Sequence, residues 1–233
     1  MKFDIVFEGG GAKGFGFIGA LKAFEQHKHE AERLIGTSAG AVIATLLAAG
    51  YSADRMKQLV VEKITDGKHE RSRFSTFLDA PDPTQFSDAA LQDSELSRAL
   101  QHFPVLEPTG GLSQHLLLKI PWYAHLFSLL EFGGWYVGES FTSWLQQRLD
   151  DASDGMKFSD CTLQQFHEIT NKDLSLIASD TSVGEMMVLN HRTAPDCPIV
   201  WAVRMSMSFP FIWQEVTGKK SGARIEEDGK QAI

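Results

Sequence analysis

The chain has 233 residues, 43% of them hydrophobic, with 22 Lys and Arg against 30 Asp and Glu, a formal net charge of -8. That length suits one domain with a substantial core or two small ones. The acidic balance argues against gripping nucleic acid or an anionic membrane by charge alone, because both need clustered Lys and Arg, so any lipid contact is expected to be mainly apolar.

Two cysteines, Cys161 and Cys197, are too few for a disulfide framework and fall in no metal-ligand spacing. Both are expected to be small core residues. The N-terminal MKFDIVFEGG carries Asp4 and Glu8 and no long apolar run, so it does not read as a secretory leader. The richest apolar segment is broken by Lys119, Pro121, His125 and Glu131, short of the roughly 18 uninterrupted apolar residues of a spanning helix. A cytoplasmic or peripheral-membrane protein is expected, with export lacking such a leader left open.

In chain order, residues 2 to 8 suit a buried strand and Ala12 to Gln26, with Phe17, Ile18, Leu21 and Phe24 on one side, a helix. ERLIG (32 to 36) reads as a second strand, and AGAVIATLLAA (39 to 49) as an apolar helix ended by Gly50. Strand, turn and helix thus occur twice in fifty residues, which implies parallel strands joined by right-handed crossovers. Ser52 is expected to cap a helix reaching Ile64, and residues 67 to 95 to form a polar surface excursion. Ser140 to Asp150 reads as an amphipathic helix, and Thr162 with Gln165 as a capping box before LQQFHEI. LSLIASD (174 to 180) and EMMVLN (185 to 190) read as strands around a turn at Gly184, and Ile199 to Ser206 as a short helix before Pro210. With no repeat and no linker of low complexity, residues 1 to 233 are expected to form one domain.

Chemistry concentrates at three places. EGGGAKG matches G-x-G-x-x-G through Gly9, Gly11 and Gly14 between a strand and a helix, which suits a dinucleotide turn. The second strand then lacks the acidic end that would hold a ribose: Gly36 is followed by Thr37 and Ser38. The second place, GTSAG from Gly36 to Gly40, is a G-x-S-x-G nucleophile elbow in the strand-to-helix setting that the motif requires. Its alternative is that Ser38 merely caps a helix. A serine nucleophile needs oxyanion donors, and the N-H groups of Gly10 and Gly11 are candidates, each worth about 3 to 4 kcal/mol of transition-state stabilisation. Only one strand precedes the elbow-bearing one, which disfavours an ordinary α/β-hydrolase.

The third place is Asp228-Gly229, beyond which no histidine lies, so a Ser-Asp-His order ending there is impossible. His27, His29, His69 and His102 lie in polar or loop-like surroundings, and His115, His125, His167 and His191 hold no fixed relation to Ser38. Each reads as a surface or structural residue, with Asp180 and His191 the one acid-histidine pair kept in reserve.

Taken together, EGGGAKG, GTSAG, SMSFPF (206 to 211), Asp228-Gly229 and VGESFTSWL (137 to 145) resemble the patatin-like phospholipases, lipid acyl hydrolases with a Ser-Asp dyad, over nearly the whole chain. The resemblance implies a three-layer α/β/α fold with a mostly parallel sheet, Ser38 as nucleophile and Asp228 as its base. It also implies the Gly9, Gly10, Gly11 turn as oxyanion hole, Lys13 at the family's basic position, and Gly36, Gly40, Gly14 and Gly229 as motif glycines. The substrate class implied is a phospholipid or other acyl-ester lipid, with no metal and no cofactor in the scheme and no nucleic-acid partner. Here the family's Asp-Gly-Gly or Asp-Gly-Ala becomes Asp228-Gly229-Lys230, and the chain stops at Ile233. A chain truncated or divergent at that end is therefore expected, and a catalytically impaired lipid- or protein-interaction domain stands as the rival reading. Residues 116 to 137, with Trp122, Tyr123, Phe127, Phe132, Trp135 and Tyr136 and little charge, suit either a lid in peripheral membrane contact or an ordinary core helix and loop.

Overall fold

The computed structural model describes residues 1–67, 69–82, 94, 95, 98, 119–153 and 155–216. They fall into two units: one of Met1–Ser75 and Phe141–Ser208 with Val216, the other of the described residues of Thr76–Ser140 with Phe209–Glu215.

The first unit is a mixed α/β structure around a mostly parallel four-stranded sheet. Strand β1 (Lys2–Phe7) runs parallel to β2 (Glu30–Thr37), β2 parallel to β6 (Asp173–Asp180), and β6 antiparallel to β7 (Glu185–Leu189). A two-stranded antiparallel ribbon, β3 (Lys63–Asp66) with β4 (His69–Ser72), lies outside this sheet. Helices α1 (Phe15–Gln26), α2 (Ala39–Ala48), α3 (Ala53–Val60), α6 (Leu163–Thr170) and α7 (Ile199–Met207) complete the unit, together with α5 (Glu139–Asp150) from Phe141 onward.

Strand alternation decides what is buried. Register places Phe7 beside Gly36 and Gly36 beside Leu176, and Leu34 beside Leu174, so these residues share one face. Leu34 and Leu176 are fully buried there. Helix α2 lies on that face, because a Cβ on Gly36 would run into the backbone of Gly40 and Ala41. Helix α1 reaches the same face through Phe17 against Phe7 and Phe24 against Phe3. Among the described residues, the opposite face leaves Val6 68% and Met186 69% exposed.

Local signals in the sequence are realised at the helix ends. The Ser52 side chain accepts the Arg55 N-H at the start of α3, and the capping box of Thr162 and Gln165 opens α6. Helix α3 ends at Val60 rather than reaching Ile64, because Lys63–Asp66 pairs with His69–Ser72 and Ile64 is taken into that ribbon. Cys161 and Cys197 are free and buried, and burial pushes the Cys197 thiol up to about 12, which fits an inert core residue.

In the second unit, helix α4 (Pro121–Phe132) leads into β5 (Gly134–Tyr136), which pairs in parallel with β8 (Phe211–Trp213). The buried Ser128 hydroxyl donates to the Gly134 carbonyl and accepts from the Gln214 amide. Asp79 accepts the N-H groups of Gly138 and Ser140, satisfying donors at the entry to the next helix. Phe127 is 3% exposed and therefore serves the core of this unit, and Trp135 lies flat on His125 with ring centroids 5.2 Å apart. Of the aromatic residues named for a lid in 116 to 137, Trp122 is the one that stands well out, 61% exposed; residues 116 to 118 lie outside the described residues.

Candidate active site

The elbow forms because two glycines allow backbone to touch backbone. A Cβ on Gly40 would sit 2.3 Å from the Phe7 carbonyl oxygen, and one on Gly36 would sit 2.5 Å from the Gly40 carbonyl oxygen. Strand β2 can therefore turn straight into α2 beneath the end of β1.

Ser38 occupies this turn with φ 53° and ψ -122°, a region that costs a non-glycine residue about 1–3 kcal/mol. It holds the N-cap position of α2, yet its side chain makes no capping bond. Its carbonyl instead starts the helix, accepting from Ala41 and Val42. A serine that merely capped would turn its hydroxyl onto the N-H of the second or third helical residue. Here the Oγ is turned toward Met207 Sδ, 3.8 Å away, where the positive end of the helix dipole favours negative charge on it.

The first glycine turn lies against the second. A Cβ on Gly9 would stand 3.4 Å from Ser38 Cβ, and one on Gly14 would meet Ala39 Cβ at 2.9 Å. Gly10 precedes, and Gly11 opens, a short 3-10 turn, Gly11–Gly14, in which the Lys13 N-H donates to the Gly10 carbonyl. The N-H groups that open such a turn have no carbonyl within it to receive them. Lys13 is exposed.

Of the residues predicted for the site, Ser38, Gly36 and Gly40, and Gly9 and Gly14 are thus brought together, with Gly10, Gly11 and Lys13 on the adjoining turn. Asp228 and Gly229 lie outside the described residues. The reserve pair is not formed. Asp180 ends β6 and accepts the Ser182 N-H, whereas His191 sits near Asp173 at the other end of that strand, about 23 Å away at strand rise. His191 instead stacks on His167, with ring centroids 3.8 Å apart.

Sequence reasoning did not single out Ser206. Its hydroxyl accepts the Ser38 N-H at 2.9 Å and donates to the Ile177 carbonyl at 2.6 Å. The available signal was its place at the start of SMSFPF, a segment chosen for its likeness rather than for any reason of spacing.

A strained serine at a strand-to-helix turn thus lies beside a glycine-rich turn. Residues 5–225 match the model of the patatin-like phospholipase family, and the chain belongs to that family. The matched stretch contains Ser38 and both glycine turns and ends just before Asp228.

Among curated proteins, the chain is 28% identical over 236 residues to YqhO of Bacillus subtilis (strain 168), covering 98% of this chain and 63% of that one. It is 32% identical over 96 residues to the cUMP-AMP-activated phospholipase of Escherichia coli, covering 38% and 30%. It therefore spans less than two thirds of the length of these relatives. Among solved structures, full-length ExoU with SpcU from Pseudomonas aeruginosa aligns with a TM-score of 0.48 at 21% identity, over 89% of this chain and 38% of that one. VipD from Legionella pneumophila aligns with a TM-score of 0.43 at 16% identity, over 89% and 42%.

Proposed function

We propose that the chain is a serine lipid acyl hydrolase of phospholipase A type, cleaving fatty-acyl esters of phospholipids. The observation that carries this reading is the state of Ser38: strained, released from capping, and set against the Gly9 to Gly11 turn. An oxygen held this way is poised to attack a carbonyl lying over the turn.

In the reaction, Asp228 accepts the Ser38 proton as Oγ adds to the ester carbonyl. The Gly10 and Gly11 N-H groups receive the developing oxyanion, Asp228 passes the proton to the departing alcohol, a lysolipid, and then takes a proton from the water that attacks the acyl-enzyme, returning it to Ser38 Oγ as the fatty acid leaves. Lys13, on the same turn, adds positive charge near the oxyanion. The role of Asp228 rests on the sequence resemblance alone, so it is tested separately from that of Ser38. Contact with a lipid surface is mainly apolar, with the exposed Trp122 of α4 as its candidate, in keeping with the chain's negative charge.

The experiment compares wild type, Ser38→Ala and Asp228→Asn on a fluorogenic phospholipid and a short-chain ester, with labelling by a fluorophosphonate probe. Wild-type turnover lost in both variants, with labelling lost in Ser38→Ala, is expected. Equal activity in all three ends the dyad. A folded but inactive wild type favours the rival, a catalytically impaired lipid- or protein-interaction domain.

A further inference from the structure

We infer that Ser206 is a positioning residue for the nucleophile, setting the direction of Ser38 Oγ through the Ser38 backbone; this rests on the reading of Ser38 as nucleophile. Thr37, the last residue of β2, pairs with Ile177 on β6. The chain then leaves the sheet, and the Ser38 N-H finds its acceptor in the Ser206 hydroxyl, 2.9 Å away. That hydroxyl in turn donates a hydrogen bond to the Ile177 carbonyl at 2.6 Å. One side chain from the last turn of α7 thus bridges the Ser38 N-H and the Ile177 carbonyl of the neighbouring strand.

A hydroxyl suits this post because it accepts and donates at once, and each bond polarises the other. Replaced by a methyl group, it would take from both backbone groups the hydrogen bond that it now makes, in a half-buried setting. The strained φ of 53° at Ser38 persists only while the surroundings over-determine it. Relaxation toward an ordinary negative φ swings the Cα-Cβ bond, and with it Oγ, out of its present direction beside Gly9, where a Cβ added to the glycine would stand only 3.4 Å from Ser38 Cβ.

Helix α7 is anchored independently of this contact, since Ile199, Ala202 and Val203 are fully buried and Val200 nearly so. Loss of the Ser206 hydroxyl should therefore disturb the elbow locally and leave the fold in place. The neighbouring residue, Met207, holds its sulfur 3.8 Å from Ser38 Oγ, so the same turn of helix touches the nucleophile at backbone and side chain.

The test uses the full chain with Ser206→Ala and Ser206→Thr, measuring fluorophosphonate labelling of Ser38, kcat and KM on a short-chain ester, melting temperature, and amide exchange of Ser38 by NMR. Ser206→Ala should slow labelling and kcat by about tenfold to a hundredfold, the scale of a small misplacement of a reacting group, with KM little changed. It should also speed Ser38 amide exchange, and Ser206→Thr, which keeps the hydroxyl, should recover most of each loss. Wild-type labelling and exchange in Ser206→Ala overturn the inference, as does an equal defect in Ser206→Thr. Should the wild type prove catalytically silent, the hydrolase reading falls, and the exchange measurement alone decides whether Ser206 holds the turn.

Discussion

Replacing Gly40 by alanine tests the close approach on which the elbow depends. The added Cβ would lie 2.3 Å from the Phe7 carbonyl oxygen, 2.6 Å from its carbon and 2.7 Å from the Glu8 carbonyl oxygen. Real Cβ atoms essentially never come nearer than 3.0 Å to such neighbours, so the gap must open by at least 0.7 Å. All three obstacles are backbone at the end of β1, where Phe7 is paired with Gly36, so no side chain can swing aside. Overpacking of this kind costs about 3 kcal/mol at the upper end of the usual range. For a chain of this size that lowers the melting temperature by roughly 6–12 °C. Because α2 carries Ser38 at its start, displacement by most of an ångström should also cut fluorophosphonate labelling by about a hundredfold.

The control is Gly19→Ala on α1, where an added Cβ meets nothing within 4 Å. Relief of glycine's conformational entropy there should stabilise the helix by about 0.5–1 kcal/mol and raise the melting temperature by roughly 1–4 °C. Calorimetry or circular dichroism reads both variants. If Gly40→Ala melts with the wild type, or if Gly19→Ala does equal harm, the close-approach account of the elbow is wrong.

Two further outcomes are expected. Burial first, then the adjacent His167 ring and Arg192, hold His191 below the ordinary imidazole value of 6.5, against the opposing pull of Asp173. The unfolded chain then binds a proton more readily than the folded one, so stability should fall as pH drops below about 6.5 and be flat above it on this account. A His191→Gln variant whose melting temperature declines with acid as steeply as the wild type's would refute this. Trp122→Ala should weaken sedimentation with zwitterionic phosphatidylcholine vesicles while leaving short-chain ester hydrolysis intact, because the side chain is exposed and outside the elbow. Unchanged vesicle binding would remove the Trp122 face as the membrane contact.

The first fifty residues are legible because their signals are local. Strand, glycine turn, helix, and again strand, GTSAG, helix are patterns of period and turn chemistry, and β1, β2, α1 and α2 form within a few residues of the expected bounds. The same holds for the capping box at Thr162 and the β6–β7 hairpin. The misjudged end of α3 shows the limit: Lys63–Asp66 becomes strand because a partner at His69–Ser72 supplies its ladder, and pairing overrides a continuing helical pattern. Phe127 likewise reads the same in sequence whether it faces lipid or core, and the packing of the second unit buries it.

By itself, then, the sequence determined the GTSAG elbow and the glycine turn, since both depend on residue types that only a tight, close-packed turn demands. Only the tertiary structure decided that these two turns touch, that the Ser38 side chain makes no capping bond, and that Ser206, 168 residues further along the chain, holds the Ser38 N-H. The physical reason is that a hydrogen bond between distant residues leaves no period or spacing in the chain. It exists only once β2, β6 and α7 have packed and their unsatisfied backbone groups face one another.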